Sequence, residues 1–117
     1  MGLVDSKKQV FLQDTGSGAW GLIARDEAGL FIAAAARKLD HVQNALQAEA
    51  LACLKAIEGA ADLGAYRIAF ESDCQVLLKA LRGTESDCAP EGFLFKEIRQ
   101  FAYLNFNSIS FAFSPRA

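Results

Sequence analysis

The apolar residues of this chain change their repeat at Asn44. Beyond it Leu46, Ala50, Cys53, Leu54, Ile57 and Ala61 recur every three or four positions until Gly64 supplies a stop, which is the stripe of one long amphipathic helix. Before it the repeat is that of strands. Val10 and Leu12 alternate within Gln9 to Gln13, and the Gly-rich turn Asp14-Thr-Gly-Ser-Gly18 follows. Ala19 to Arg25 reads as a second strand, Asp26-Glu-Ala-Gly29 as a turn, and Leu30 to Arg37 as a third strand. Connections this short make the three strands antiparallel neighbours.

Past Gly64 strands and helices alternate. Tyr66 to Phe70 is a strand extended by Glu71-Ser72, and Ser72 with Gln75 three residues on is a capping-box signal for a helix running through Leu81 to Gly83. Pro90 opens a third helix with the stripe Leu94, Ile98, Phe101 and Leu104, and Ser108 to Phe113 closes the chain as a strand. The predicted order is βββαβααβ, or βββαβαβ if the loop region is merged. Strands separated by helices pair in parallel through right-handed crossovers, so the fold class is α/β, one mixed sheet with helices covering its faces. With 117 residues, 52% of them hydrophobic, the chain fills one core, and a single domain over residues 1–117 is expected.

Charge and cysteine content narrow the function. Lys and Arg total 12 against 14 Asp and Glu, with a net charge of -2, which excludes a general phosphate-binding surface. Contact with nucleic acid must then be local or metal-assisted. Cys53, Cys74 and Cys88 have the spacing of neither a zinc site nor a redox pair, so free thiols and a reducing compartment are expected. No apolar run approaches the roughly 20 residues that span a bilayer, and Met1 to Gln9 lacks the apolar core of a signal peptide. The expected location is intracellular, with no membrane partner.

Two carboxylates stand out. Glu49 falls between Leu46 and Cys53 beside Ala50 on the apolar stripe, where a charge is costly unless its head reaches water or faces a cation. Asp73 follows the fourth strand at its carboxyl end, where α/β sheets bind ligands. Its plainer role is to stabilise a helix N-terminus, worth about 0.3–1 kcal/mol. Together they are candidate oxygen ligands for a hard cation such as Mg²⁺. His41 precedes the long helix and reads as an exposed turn residue with no catalytic role.

Three ordered blocks carry a family resemblance: Ser17-Gly-Ala-Trp-Gly-Leu-Ile-Ala-Arg-Asp-Glu-Ala-Gly29, Ala45-Leu-Gln-Ala-Glu-Ala-Leu-Ala-Cys-Leu54, and Phe70-Glu-Ser-Asp-Cys74 with Leu77 to Leu81. From about Phe11 to Arg116 the chain resembles the plant reverse-transcriptase-like branch of ribonuclease H domains. The resemblance implies a ribonuclease H-like five-stranded mixed sheet, three antiparallel then two parallel strands, flanked by helices. It also implies acids on the first strand, first helix and fourth strand that hold two Mg²⁺ or Mn²⁺ ions and cleave the RNA of an RNA–DNA hybrid. Glu49 matches the helix acid and Asp73 the strand acid, both as metal ligands. For the first strand, aligning the Phe of a Val-Asp-Gly-Ala-Phe-like segment with Phe11 puts Lys8 at the acid's place. Asp5, three residues upstream in Val4-Asp5, is the substitute candidate, while Asp14 reads as a turn-former.

Ser114-Pro-Arg-Ala117 resembles the segment before the family's last helix. The expectation is therefore a domain truncated at its C-terminus, with the final helix and its acid missing. Ile109, Phe111 and Phe113 would lie on an uncovered sheet face open to self-association or a protein partner. The expected function is a nucleic-acid hydrolase domain with RNA–DNA hybrid ribonuclease activity, impaired in this chain. The alternative is a catalytically silent nucleic-acid-binding or protein-interaction module.

Overall fold

In a computed structural model of the chain, residues 9–14, 20–26, 31–37 and 44–115 are described. Asn44 starts the long helix: its side-chain carbonyl accepts the Gln47 N–H at 2.8 Å, satisfying a donor that a helix start leaves open. The helix, α1 (Ala45–Asp62), stops where Gly64 takes φ +80°, a conformation glycine adopts at no steric cost. Its stripe packs as the spacing requires. Ala50, Cys53, Leu54 and Ile57 are buried, and Leu46 and Ala61 are half-buried against the same core.

The strands β1 (Gln9–Asp14), β2 (Trp20–Asp26), β3 (Phe31–Arg37), β4 (Arg67–Ser72) and β5 (Ser108–Phe113) form one sheet in the order β3-β2-β1-β4-β5. β2 is antiparallel to both β1 and β3, whereas β4 is parallel to both β1 and β5. The parallel part is larger than the two strands expected, because β1 belongs to both halves and makes a third. With α2 (Gln75–Arg82) and α3 (Gly92–Asn105) the element order is βββαβααβ.

Period-two alternation decides which face is covered. Val10 and Leu12 of β1 and Ile68, Phe70 and Ser72 of β4 are buried. All but Ser72 join one cluster with Ile57 of α1, Leu77 and Leu81 of α2 and Leu94, Phe95 and Ile98 of α3. Burying a side chain such as Phe70 removes enough apolar surface from water to contribute about 1.5–3 kcal/mol. The three helices therefore lie on one face of the described sheet, not on both as expected.

Three details differ from expectation. Leu104, assigned to the α3 stripe, is 69% exposed, and Phe95 and Ala102 are buried instead. Gly92, rather than Pro90, is the first residue of α3. Ile109 and Phe111 turn towards the helices and pack against the core, because the register sets them beside the buried Ile68 and Phe70. The opposite face of β5 carries the exposed Ser108 and Ser110, so the apolar face expected to stand uncovered is partly covered at Ile109 and Phe111, while Phe113 is 47% exposed.

The loop between α2 and α3 is pinned from α3. The Arg99 guanidinium donates to the carbonyls of Ala80 and Gly83 and to both oxygens of Asp87. Among the described residues no helix is long and apolar enough to cross a membrane.

Candidate active site

β4 ends on Ser72, which is 1% exposed. Its hydroxyl accepts the Cys74 N–H at 3.0 Å, and its carbonyl accepts the Ser114 N–H at 2.9 Å. Ser72 thus folds the chain into α2 as the last residue of the strand. Cys74 is the N-cap of α2, so the capping box expected from Ser72 and Gln75 does not form. The turn sets the half-buried Asp73 at the carboxyl end of a parallel strand with a neighbour on each side, the position at which open α/β sheets take ligands.

Glu49 lies in the second turn of α1, half-buried beside the fully buried Ala50. The two acids meet electrostatically at the Cys74 thiol. Burial pushes this thiol above its ordinary value, and the charges of Glu49 and Asp73 push it in the same direction. Hydrogen bonds from the Leu77 and Val76 backbone act against them. A charge on α1 and a charge just beyond β4 thus both act on the thiol at the start of α2.

Asp5, Lys8 and His41 lie outside the described residues. The register still bears on the first-strand acid. Gln9, which follows Lys8, sits beside Arg67 at the far end of β4 from Asp73, whereas Gln13 sits beside Glu71. One step further along the same register brings the backbone of Asp14, the last residue of β1, to Ser72. The backbone of Asp14, read as a turn-former in the sequence, thus lies towards the Asp73 end of the sheet. Its place before a Gly-rich turn was visible in the sequence, but its register against β4 was not.

Carboxylate oxygens suit Mg²⁺, which keeps water and substrate oxygens and needs only one or two carboxylates from protein. Among the described residues no group of three or more His, Cys, Asp or Glu side chains is placed to hold a metal ion. A groove of about 720 Å³ runs along α2, lined by Gln75, Val76, Lys79, Arg82 and Phe113 among others.

A family model described as reverse transcriptase-like matches residues 5–117. The chain belongs to this family. The reverse transcriptase-like domain is similar in fold to RNase H1 from the halophilic archaeon Halobacterium salinarum NRC-1, with a TM-score of 0.77 and 23% identity over 93% of this chain and 86% of that one. It is similar also to the N-terminal RNase H domain of a Mycobacterium tuberculosis protein solved as a fusion with maltose-binding protein, with a TM-score of 0.70 and 17% identity over 92% and 88%. A foamy viral protease-reverse transcriptase, solved in complex with RNA/DNA hybrid, matches 97% of the domain with 16% of its own chain, at a TM-score of 0.66 and 17% identity. These likenesses give the domain a ribonuclease H-like α/β fold. A search of curated proteins returns no match.

Proposed function

We propose that this reverse transcriptase-like domain is a nucleic-acid hydrolase that cleaves the RNA strand of an RNA–DNA hybrid with a divalent ion. The observation behind this reading is the half-buried Asp73 just past the carboxyl end of the parallel strand β4, with the half-buried Glu49 of α1 acting on the same neighbouring thiol. The solved relatives lend it support, one of them holding a hybrid.

A divalent ion bound there supplies Lewis acidity and a water of lowered pKa for in-line attack on phosphorus. Glu49 of α1 and Asp73 just past β4 would hold such an ion through their carboxylate oxygens. Asp14 is the first-strand acid on this reading, in place of Asp5 or Lys8. Lys79 and Gln75 on the outer side of α2 contribute a cation and an amide beside the path of the backbone, a local contact compatible with the net charge of -2.

The test is Mg²⁺- and Mn²⁺-dependent cleavage of an end-labelled hybrid by the chain and four variants. Glu49→Gln and Asp73→Asn are each expected to abolish cleavage, and Asp14→Asn to lower it at least tenfold. Lys8→Asp is expected to change neither rate nor metal affinity. Tighter metal binding by Lys8→Asp would return the first-strand position to residue 8 and overturn the assignment of Asp14. Hybrid binding that weakens with salt while no strand is cut would replace hydrolysis with a silent binding module.

A further inference from the structure

We propose that the outer edge of β5 is a strand-pairing surface for a second copy of this chain, held shut in the monomer by the Arg82 guanidinium. β5 is the last strand of the sheet on its side. Ser114 gives its N–H to the Ser72 carbonyl of β4, and alternate residues of a strand point their backbone groups to the same edge. Ala112 and Ser110 therefore face β4. Ile109, Phe111 and Phe113 present their N–H and C=O groups outwards.

Edge strands of soluble proteins are blunted by charges, prolines, bulges or a covering segment. Ser108–Phe113 contains no charge and no proline, and its register against β4 is unbroken. Among the described residues, what blunts it is one bond from outside the strand. Arg82, the last residue of α2, donates through Nη2 to the Phe111 carbonyl.

The outward groups are complementary to themselves. In an antiparallel pair on a two-fold axis through Phe111, this residue exchanges both backbone bonds with its own copy, and Ile109 falls opposite Phe113. The alternation is preserved, so the incoming Ile109, Phe111 and Phe113 arrive on the helix side of the sheet. There a groove of about 400 Å³ lies along the edge, lined by Leu81, Ala102, Tyr103, Phe106, Ile109 and Phe111 among others. Tyr103 is an exposed aromatic on that groove. The acceptor on the axis is the carbonyl that Arg82 occupies, so pairing and capping exclude each other.

Sedimentation equilibrium on the whole chain tests the proposal. Arg82→Ala is expected to dimerise at least tenfold more tightly than the unaltered chain, and Arg82→Lys to fall between them. Ser110→Glu, at an exposed position away from the core, sets its charge diagonally across the axis from that of the copy and is expected to weaken the Arg82→Ala dimer at least tenfold. Amide exchange at Phe111 and Phe113 should slow only in the dimer. Equal association constants for Arg82→Ala and the unaltered chain overturn the proposal. So does an Arg82→Ala oligomer that Ser110→Glu leaves intact, because its contact then lies off β5. Circular dichroism of each variant excludes association through unfolding.

Discussion

Cys74 is the residue through which the meeting of Glu49 and Asp73 can be measured without substrate or metal. Its thiol is raised above the ordinary value of 9.0 by burial first and then by the two carboxylates, so iodoacetamide should alkylate it slowly at pH 8. With Cys88→Ser removing the exposed thiol, Glu49→Gln and Asp73→Asn should each speed alkylation of Cys74 several-fold. Unchanged rates in both variants would separate the acids. The linked effect on stability has a definite sign. A folded-state value raised above the unfolded one means that the native state holds its proton more tightly. This contribution is complete below pH 9.0 and is lost as pH rises through the folded value, so the carboxylate variants should flatten the alkaline loss of stability. Glu49 and Asp73 were legible in the sequence because each broke a local pattern, one as a charge on an apolar stripe and the other as an acid where a strand turns into a helix. The place of Asp14 relative to β4 was not, because that strand lies far along the chain and only register relates the two.

Among the elements, α1 and β5 were the most readable. The α1 stripe is long enough for its period to be unambiguous, and β5 alternates from Ser108 to Phe111. The start of α3 was less so. Pro90 is a sound helix-start signal, but Glu91 intervenes as N-cap, 9% exposed and accepting the Asn44 side-chain N–H at 2.9 Å. This bond ties the starts of α1 and α3 and depends on a tertiary contact that no local pattern encodes. The same is true of the Arg99 clamp. Removing it strands a half-buried carboxylate and two carbonyls that were satisfied by one guanidinium, so Arg99→Ala is expected to cost about 2–3 kcal/mol by urea denaturation. Arg99→Lys should recover less than half, since an ammonium cannot reproduce the planar fork. A loss below about 0.5 kcal/mol would show that the loop needs no pin.

At the scale of the molecule, the position of β1 has a consequence in time. It is the first described strand, yet its parallel partner β4 begins with Arg67, the residue beside Gln9. The two ladders of β1 therefore close very different loops. The antiparallel one with β2 is local, and the parallel one spans about sixty residues and must wait for α1 to bridge it. Refolding is accordingly expected to show α1 and the meander protected from exchange before the β1–β4 amides. A shortened nascent chain ending before Arg67 should leave one edge of β1 without hydrogen bonds. Such an edge is a template for any extended segment nearby, so the interval in which the ribosome has released β1 but not yet β4 is when this chain is most exposed to mispairing.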